Sequence, residues 1–273
     1  MTIQLPEYIS YSQYNSYTWC PRDWYLGRIR KAEEAQAWYI PIGTAVHEMI
    51  EAHLKPLDRG DPLSAEDYFY PLVVKQMEIE SDVSKWLAGG PKDAPITHEK
   101  ALQRVKDCFE KALEYLDDID VWHVEYDAST RLPGLSVELR GFIDIVGESR
   151  KRKRPEIVDW KSGSKKPDNY QLQSYGAMLK TLDPKLYAKL GGLYAMLAPG
   201  VSKARPIDLS AVDPAEIGAK YQKVREQMEA MQIQAKKNFM CKMCFNAPNC
   251  MEYSGPTARA LFYDRSKHDQ PPF

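Results

Sequence analysis

Apolar positions along this chain recur with two different periods, and the change from one to the other organises it. The opening stretch SYSQYNSYTWCPRDWYL predicts a short helix capped by Ser10 or Ser12 and closed near Pro21. A second helix is predicted in IPIGTAVHEMIEAHL, where Ile42, Val46, Ile50 and Leu54 fall on one side at helical spacing. From Asp58 to Asp118 the chain is rich in charge and broken by Pro, Gly and Ser around SKWLAGGPKDAP. This reads as a helical insertion whose last helix, ALQRVKDCFEKALEYL, carries the stripe Leu102, Val105, Phe109 and Leu113. The period then drops to two: VWHVEYDAST, LSVELRGFIDIVGES and KRKRPEIVDW read as strands. Pro167 and Asp168 precede the helix NYQLQSYGAMLKTL; GGLYAMLAPG is a further strand, and a long polar helix runs from Pro214 to Lys237. The tail after Tyr253 reads as irregular, and no internal repeat is present. Helices, then strands, a helix and a strand make an α/β (α+β mixed) fold with a central mixed sheet flanked by helices.

Strand alternation places chemistry on that sheet. Val137, Leu139, Gly141, Ile143 and Ile145 are expected on one face, and Glu138, Arg140, Phe142 and Asp144 on the other. In the next strand Glu156, Val158 and Trp160 oppose Ile157, Asp159 and Lys161. Pairing of the two strands would set Asp144 beside Asp159 and Lys161. Two carboxylates and an ammonium on a half-buried sheet are costly without a purpose. A divalent cation between Asp144 and Asp159 would offset that cost, and Mg²⁺ or Mn²⁺ suits such oxygen ligands. Such a cation polarises a phosphodiester and lowers the pKa of bound water. Lys161 can then orient the water or stabilise developing phosphorane charge. The alternative is an ordinary surface Asp-Trp-Lys. His47, near the start of its helix, is either a boundary residue of the core or a nitrogen ligand that favours Mn²⁺. Gln171 and Tyr175, four apart, share a helical face just after the Asp159 strand. Gln171 can bond a phosphate or metal water and Tyr175 can stack on the strand or bond to it, unless both merely finish a helix surface. Arg140 either neutralises phosphate or pairs with Glu138. The basic run Arg150 to Arg154, at the expected hairpin turn, is either a solvated loop or a phosphate grip.

Composition narrows the class. The 273 residues are 44% hydrophobic and 27% charged, an ordinary globular balance for one large domain. With 37 basic and 38 acidic residues the net charge is −1, so a nucleic-acid partner would have to be held by a local patch. No apolar run approaches the ~18 residues of a membrane span, and the N-terminus lacks a secretory pattern. These features exclude a membrane protein, a largely disordered chain and a histone-like cation, and predict a soluble intracellular protein. Five cysteines are an awkward number for a disulfide framework. Cys108 sits beside an apolar stripe and reads as a small buried side chain.

His47, the G-F-I-D strand ending at Asp144, V-D-W-K with Asp159 and Lys161, and Q-L-Q-S-Y from Gln171 to Tyr175 resemble the PD-(D/E)xK nucleases. More narrowly, they resemble the RecB-type branch, which includes the CRISPR-associated exonucleases and related phage enzymes. The two aspartates lie 15 positions apart, and position 159 carries Asp where Glu is commoner. The resemblance implies a restriction-endonuclease-like sheet, with His47, Asp144, Asp159 and the Trp160 carbonyl holding the metal and Lys161 catalytic. It also implies an exonuclease on single-stranded or end-exposed DNA, in recombination, repair, replication or phage DNA metabolism.

Cys20 in C-P, followed by Cys241, Cys244 and Cys250 in C-x2-C-x5-C, resembles the iron–sulfur form of that branch. Four thiolates complete a [4Fe–4S] ligand set, and here they would clip together parts of the chain 221 positions apart. A four-thiolate zinc site is the alternative. Tyr17, Trp19, Trp24 and Tyr25 near Cys20 either pack the cluster-supporting subdomain or stack on unpaired bases. The expected organisation is a single nuclease domain. Residues 1–40 with 238–253 form its iron–sulfur subdomain, 41–57 and 119–237 its core, 58–118 its helical insertion and 254–273 its tail. The expected partner is DNA; further copies of the chain in a higher assembly, and a recombination protein or an integrase partner in CRISPR adaptation, are candidates. A non-catalytic DNA-binding scaffold is the rival from another class. The compartment expected is the cytoplasm of a bacterium, an archaeon or a phage-infected host.

Overall fold

Five strands form the main sheet: β2 (Ile119–Asp127), β4 (Phe142–Ser149), β5 (Arg154–Lys161), β6 (Gly191–Met196) and β7 (Ile207–Asp208). They lie side by side in that order. Only β5 and β6 run parallel, as the crossover through α6 (Tyr170–Leu182) requires; the other pairings are antiparallel, so the sheet is mixed as expected. A separate two-stranded parallel sheet joins β1 (Tyr8–Ser10) to β3 (Glu138–Arg140). The structure is a computed structural model that describes residues 5–55, 64–87, 96–203 and 205–254. Part of the expected insertion and nearly all of the expected tail lie outside the described residues.

Both faces of the main sheet are covered. On one, Ile145, Val158, Trp160, Leu193 and Ala195 pack against α3 (Tyr39–Leu54), α4 (Ala65–Met77) and α5 (His98–Leu116). The helices of the 58–118 stretch thus roof the sheet directly. In α5 the buried side is Ala101, Val105, Cys108, Ala112 and Tyr115, while Leu102 and Phe109 flank it partly buried. Burial pushes the Cys108 thiol up to about 11, as befits an inert core cysteine. In α3, Ile42, Val46 and Ile50 are buried and Leu54 partly so. The opposite face, with Ile157, Tyr194 and Met196, is covered by α6, α7 (Pro214–Glu229) and the N-terminal segment.

That segment begins with α1 (Tyr11–Trp19), whose N-cap Ser10 accepts a hydrogen bond from the Gln13 amide at 3.3 Å. Pro21 opens α2 (Pro21–Trp24), where its missing N–H costs nothing. Tyr17, Trp24 and Tyr25 are buried in the core; Trp19 alone of that aromatic group is exposed. Three of the four therefore pack and cannot stack on bases.

Three further expectations change. LSVELRGFIDIVGES is not one alternating strand, because it divides at Gly141 into β3 and β4, which belong to different sheets. Gly141 is needed there: a Cβ would lie 2.9 Å from Met178 Cε and 3.1 Å from Tyr175 Cε1, so its absence lets α6 approach. Second, Ile143 and Ile145 enter different cores, as do their β2 partners Tyr126 and Val124. The faces exchange at the intervening pair Asp144 and Glu125, where Glu125 has φ +50°. Third, the polar helix stops at Glu229 rather than Lys237, because Met231 takes φ +51° and turns the chain away. A short C-terminal helix, α8 (Met251–Ser254), follows the last cysteine.

The basic run occupies the β4–β5 turn as predicted, but most of its charges are already paired. Arg150 meets Asp120 at 2.7 Å, Lys151 meets Asp118 at 2.7 Å, and Arg152 pairs with the fully buried Glu156. Arg154 starts β5 and Lys161 ends it, so the run lies at the opposite end of the strand from the predicted chemistry. It is a paired turn.

Candidate active site

The β4–β5 ladder runs from Ser149↔Arg154 to Ile145↔Val158 and stops before Asp144 and Asp159. Beyond that point the strands part, and Asp144 Oδ2 accepts the Trp160 backbone N–H at 2.7 Å in place of a ladder bond. One carboxylate oxygen is thereby fixed. The other, Oδ1, faces His47 Nδ1 of α3 at 3.4 Å. Burial pulls the His47 pKa down, but the Asp144 contact and charge, helped by Asp159 and Glu125, outweigh it and raise the pKa above the ordinary value.

Asp159 is 2% exposed on the face covered by α6. Burial, opposed by the Lys161 charge and aided by Asp144, pushes its carboxyl up to about 6. The Lys161 ammonium pairs with Asp159 Oδ2 at 2.5 Å, and no further donor reaches this buried oxygen among the described residues. Lys161 also donates to Gln171 Oε1 at 3.1 Å, and Gln171 Nε2 donates to the Tyr175 hydroxyl at 3.1 Å. Burial first and Asp159 second raise the Tyr175 pKa well above its usual range, so its hydroxyl stays protonated. Asp159, Lys161, Gln171 and Tyr175 form one chain of contacts, assembled from the end of β5 and the first two turns of α6.

The structure thus brings together His47, Asp144, Asp159, Trp160, Lys161, Gln171 and Tyr175. Arg140 is not among them. On the small sheet it lies 3.8 Å over the Tyr8 ring and pairs with Glu138 at 3.4 Å, because the break at Gly141 removes β3 from the alternation that pointed it toward Asp144.

Two residues that sequence reasoning missed also belong here. Glu125, on β2, offers an oxygen that lies with His47 and Asp144 ligand atoms, all within 4.8 Å of one another. Its φ of +50° is a left-handed conformation that costs roughly 1–2 kcal/mol in a non-glycine residue. Burial and the Asp144 charge raise its pKa. No sequence signal marks it, because its position depends on that local backbone reversal. Tyr11, at the start of α1, has its pKa pushed up to about 12 by burial, then by Asp168 and Asp159. Helical spacing in SYSQYNSYTWC gives no reason to send it toward the sheet.

Three carboxylates and an imidazole against one ammonium leave this half-buried site with excess negative charge. That donor set fits a hard divalent cation. A cation seated there would reverse the pressure that raises the carboxyl pKa values.

Cys20, Cys241, Cys244 and Cys250 line one cavity of about 540 Å³, whose wall also includes Tyr11, Trp19 and Gln171. Cys20 Sγ accepts the Lys236 N–H at 3.3 Å and Cys241 Sγ the Asn238 N–H at 3.4 Å. Cys244 Sγ contacts Asp23 Oδ1 at 3.1 Å. No three of these sulfurs gather within 4.8 Å of one another. Among the described residues, no helix is long and apolar enough to cross a membrane.

The Gene 69 protein of Mycobacterium phage L5 is 27% identical over 264 residues, covering 81% of this chain and 88% of that protein. The Gene 69 protein of Mycobacterium phage D29 is 28% identical over 269 residues, covering 88% and 95%. A solved structure described as "Crystal structure of SSO0001" aligns with TM-score 0.35 at 16% identity, over 76% of this chain and 93% of its own. The profile of the PD-(D/E)XK nuclease superfamily matches residues 8–251, a span that takes in every group described above. The chain belongs to the PD-(D/E)XK nuclease superfamily.

Proposed function

We propose that this metal-dependent nuclease is a deoxyribonuclease of the RecB type, an exonuclease on single-stranded or end-exposed DNA. The observation that carries the catalytic reading is the contact chain Asp159–Lys161–Gln171–Tyr175 beside the His47–Asp144 pair, at the point where β4 and β5 part. His47, Asp144, Asp159 and the Trp160 carbonyl would hold Mg²⁺ or Mn²⁺. When bound, that cation supplies charge neutralisation of the phosphate and acidification of a water molecule. Lys161, held between Asp159 and Gln171, keeps its ammonium beside the carboxylates, where it meets phosphate charge as a compact cation. Gln171 fixes the ammonium with its carbonyl and bonds Tyr175 with its amide, while the protonated Tyr175 hydroxyl can donate to the strand. The phage relatives favour phage DNA metabolism over CRISPR adaptation with an integrase partner.

For the cysteines we infer a [4Fe–4S] cluster. The placing of all four cysteines on the wall of one cavity supports such a group, as do the two backbone amides donated to sulfur. Anaerobically purified protein is expected to be brown, and Cys250→Ser to bleach it. Zinc with no iron in the purified protein would reject the cluster.

The test of the nuclease reading is incubation of labelled single-stranded DNA with Mn²⁺, comparing wild type with Asp159→Ala and Lys161→Ala. Degradation by wild type alone is expected. Equal degradation by all three rejects the site, and none by any of them leaves the scaffold reading in its place.

A further inference from the structure

We propose that Glu125 is a further cation ligand, reaching with His47 and Asp144 the same divalent ion that Asp159 meets from the end of β5. This rests on the metal-centre reading above and adds to it a residue from a different strand. Three ligands at 2.0–2.1 Å around an octahedral ion lie about 3.0–4.2 Å apart. The ligand atoms of His47, Glu125 and Asp144 already lie within 4.8 Å of one another, so closing on an ion needs shifts of at most about an ångström per side chain. Asp159 does not belong to that triad; its near neighbour is Lys161.

The charge arrangement is otherwise unexplained. Glu125 accepts no hydrogen bond and forms no ion pair within 4.0 Å among the described residues, although it is only partly exposed and faces the Asp144 carboxylate. A glutamate with a like-charged neighbour and no donor destabilises the metal-free protein. Two carboxylates and one imidazole balance a divalent charge and suit Mn²⁺, which takes both oxygen and nitrogen donors. The chain also reverses its backbone at Glu125, at the same pair where the two faces of the sheet exchange. Asp144 is common to both sets of contacts. It therefore links the Glu125 seat to the adjoining Asp159 and Lys161.

The experiment is calorimetric titration of Mn²⁺ into the intact metal-free chain without DNA, with melting curves in chelator and in Mn²⁺. Glu125→Gln is expected to weaken Mn²⁺ binding at least tenfold and to shrink the Mn²⁺-dependent rise in Tm. Its Tm in chelator should not fall, because a like-charge contact has been removed. Glu125→Gly, which accepts a positive φ without strain, is the second variant and should show the same loss of affinity. A loss smaller than tenfold in both variants overturns the assignment. Asp144→Asn separates the two readings. If it abolishes binding while both Glu125 variants bind normally, only the role of Glu125 fails; if it too binds normally, the metal centre itself fails.

Discussion

Replacing Gln171 with alanine tests whether the polar chain behind Lys161 acts as a unit. The substitution removes two hydrogen bonds, both 3.1 Å long, one from a charged donor and one to a neutral hydroxyl. A bond to a charged group contributes about 1.5–3 kcal/mol and a neutral one about 0.5–1.5 kcal/mol. The Lys161 side chain is 27% exposed, so water partly replaces the lost carbonyl and the lower end applies. At about 1.4 kcal/mol per decade this becomes a fall in kcat/KM of roughly 10- to 30-fold. The assay is single-turnover cleavage of labelled single-stranded DNA in Mn²⁺ by wild type, Gln171→Ala, Lys161→Ala and the double variant. If Gln171 works by placing the ammonium, then once Lys161 is gone its removal should cost no more than the Tyr175 bond, roughly 2- to 3-fold. Independent effects, with the double variant falling by the full product of the singles, would refute the chain of contacts as the means by which Lys161 is positioned.

The paired turn between β4 and β5 makes two contrasting forecasts. Arg152→Ala leaves the fully buried Glu156 without its cation and should cost up to about 3 kcal/mol in urea unfolding, whereas Arg150→Ala, on an exposed pair, should cost less than about 1 kcal/mol. Neutralising Arg150 and Lys151 together should leave the slope of DNA affinity against salt unchanged, since these charges lie at the far end of β5 from Lys161; a slope reduced by about 2 would restore the turn as a phosphate grip.

How much could be read from the chain alone depended on how local each signal was. The Asp159-x-Lys161 pair survives because strand alternation over three residues needs no knowledge of partners; Val158 and Trp160 enter one core and Ile157 the other, as predicted. Gln171 and Tyr175 survive for the same reason on a helix. Alternation failed where it was carried across Gly141, which hands the chain from one sheet to another, and across Asp144, where the faces exchange. Glu125 was invisible because its place in the site comes from a backbone reversal within β2, and strand residues as a rule give no warning of a positive φ. The basic run was ambiguous because its partners, Asp118, Asp120 and Glu156, come partly from the preceding strand region. The same limit applies to the end of α7, since nothing in a polar amphipathic pattern demands a stop at Glu229 rather than Lys237.

Helix α1 joins the cysteine cavity to the catalytic contacts, and that connection carries a consequence for function. Nine residues of helix span about 13.5 Å. At one end Trp19 and Cys20 border the cavity; at the other, Tyr11 feels the Asp159 charge and shares the cavity wall with Gln171. Between them Tyr14 lies 4.8 Å from the Tyr170 ring and 4.6 Å from the Tyr221 ring, tying the helix to α6 and α7. A cluster held at Cys20 would therefore restrain the same helix that abuts Gln171, while His47, Glu125 and Asp144 sit on α3, β2 and β4, away from it. Cys20→Ser should accordingly lower kcat/KM for DNA cleavage, by loosening the Tyr11 and Gln171 side of the site, and leave Mn²⁺ affinity within twofold of wild type. Iron content and Mn²⁺ titration on the same preparation check both halves. A bleached variant that cleaves at the wild-type rate would show that the clip and the catalytic contacts are mechanically separate, and one that also loses Mn²⁺ would show that the clip supports the whole sheet rather than one side of it.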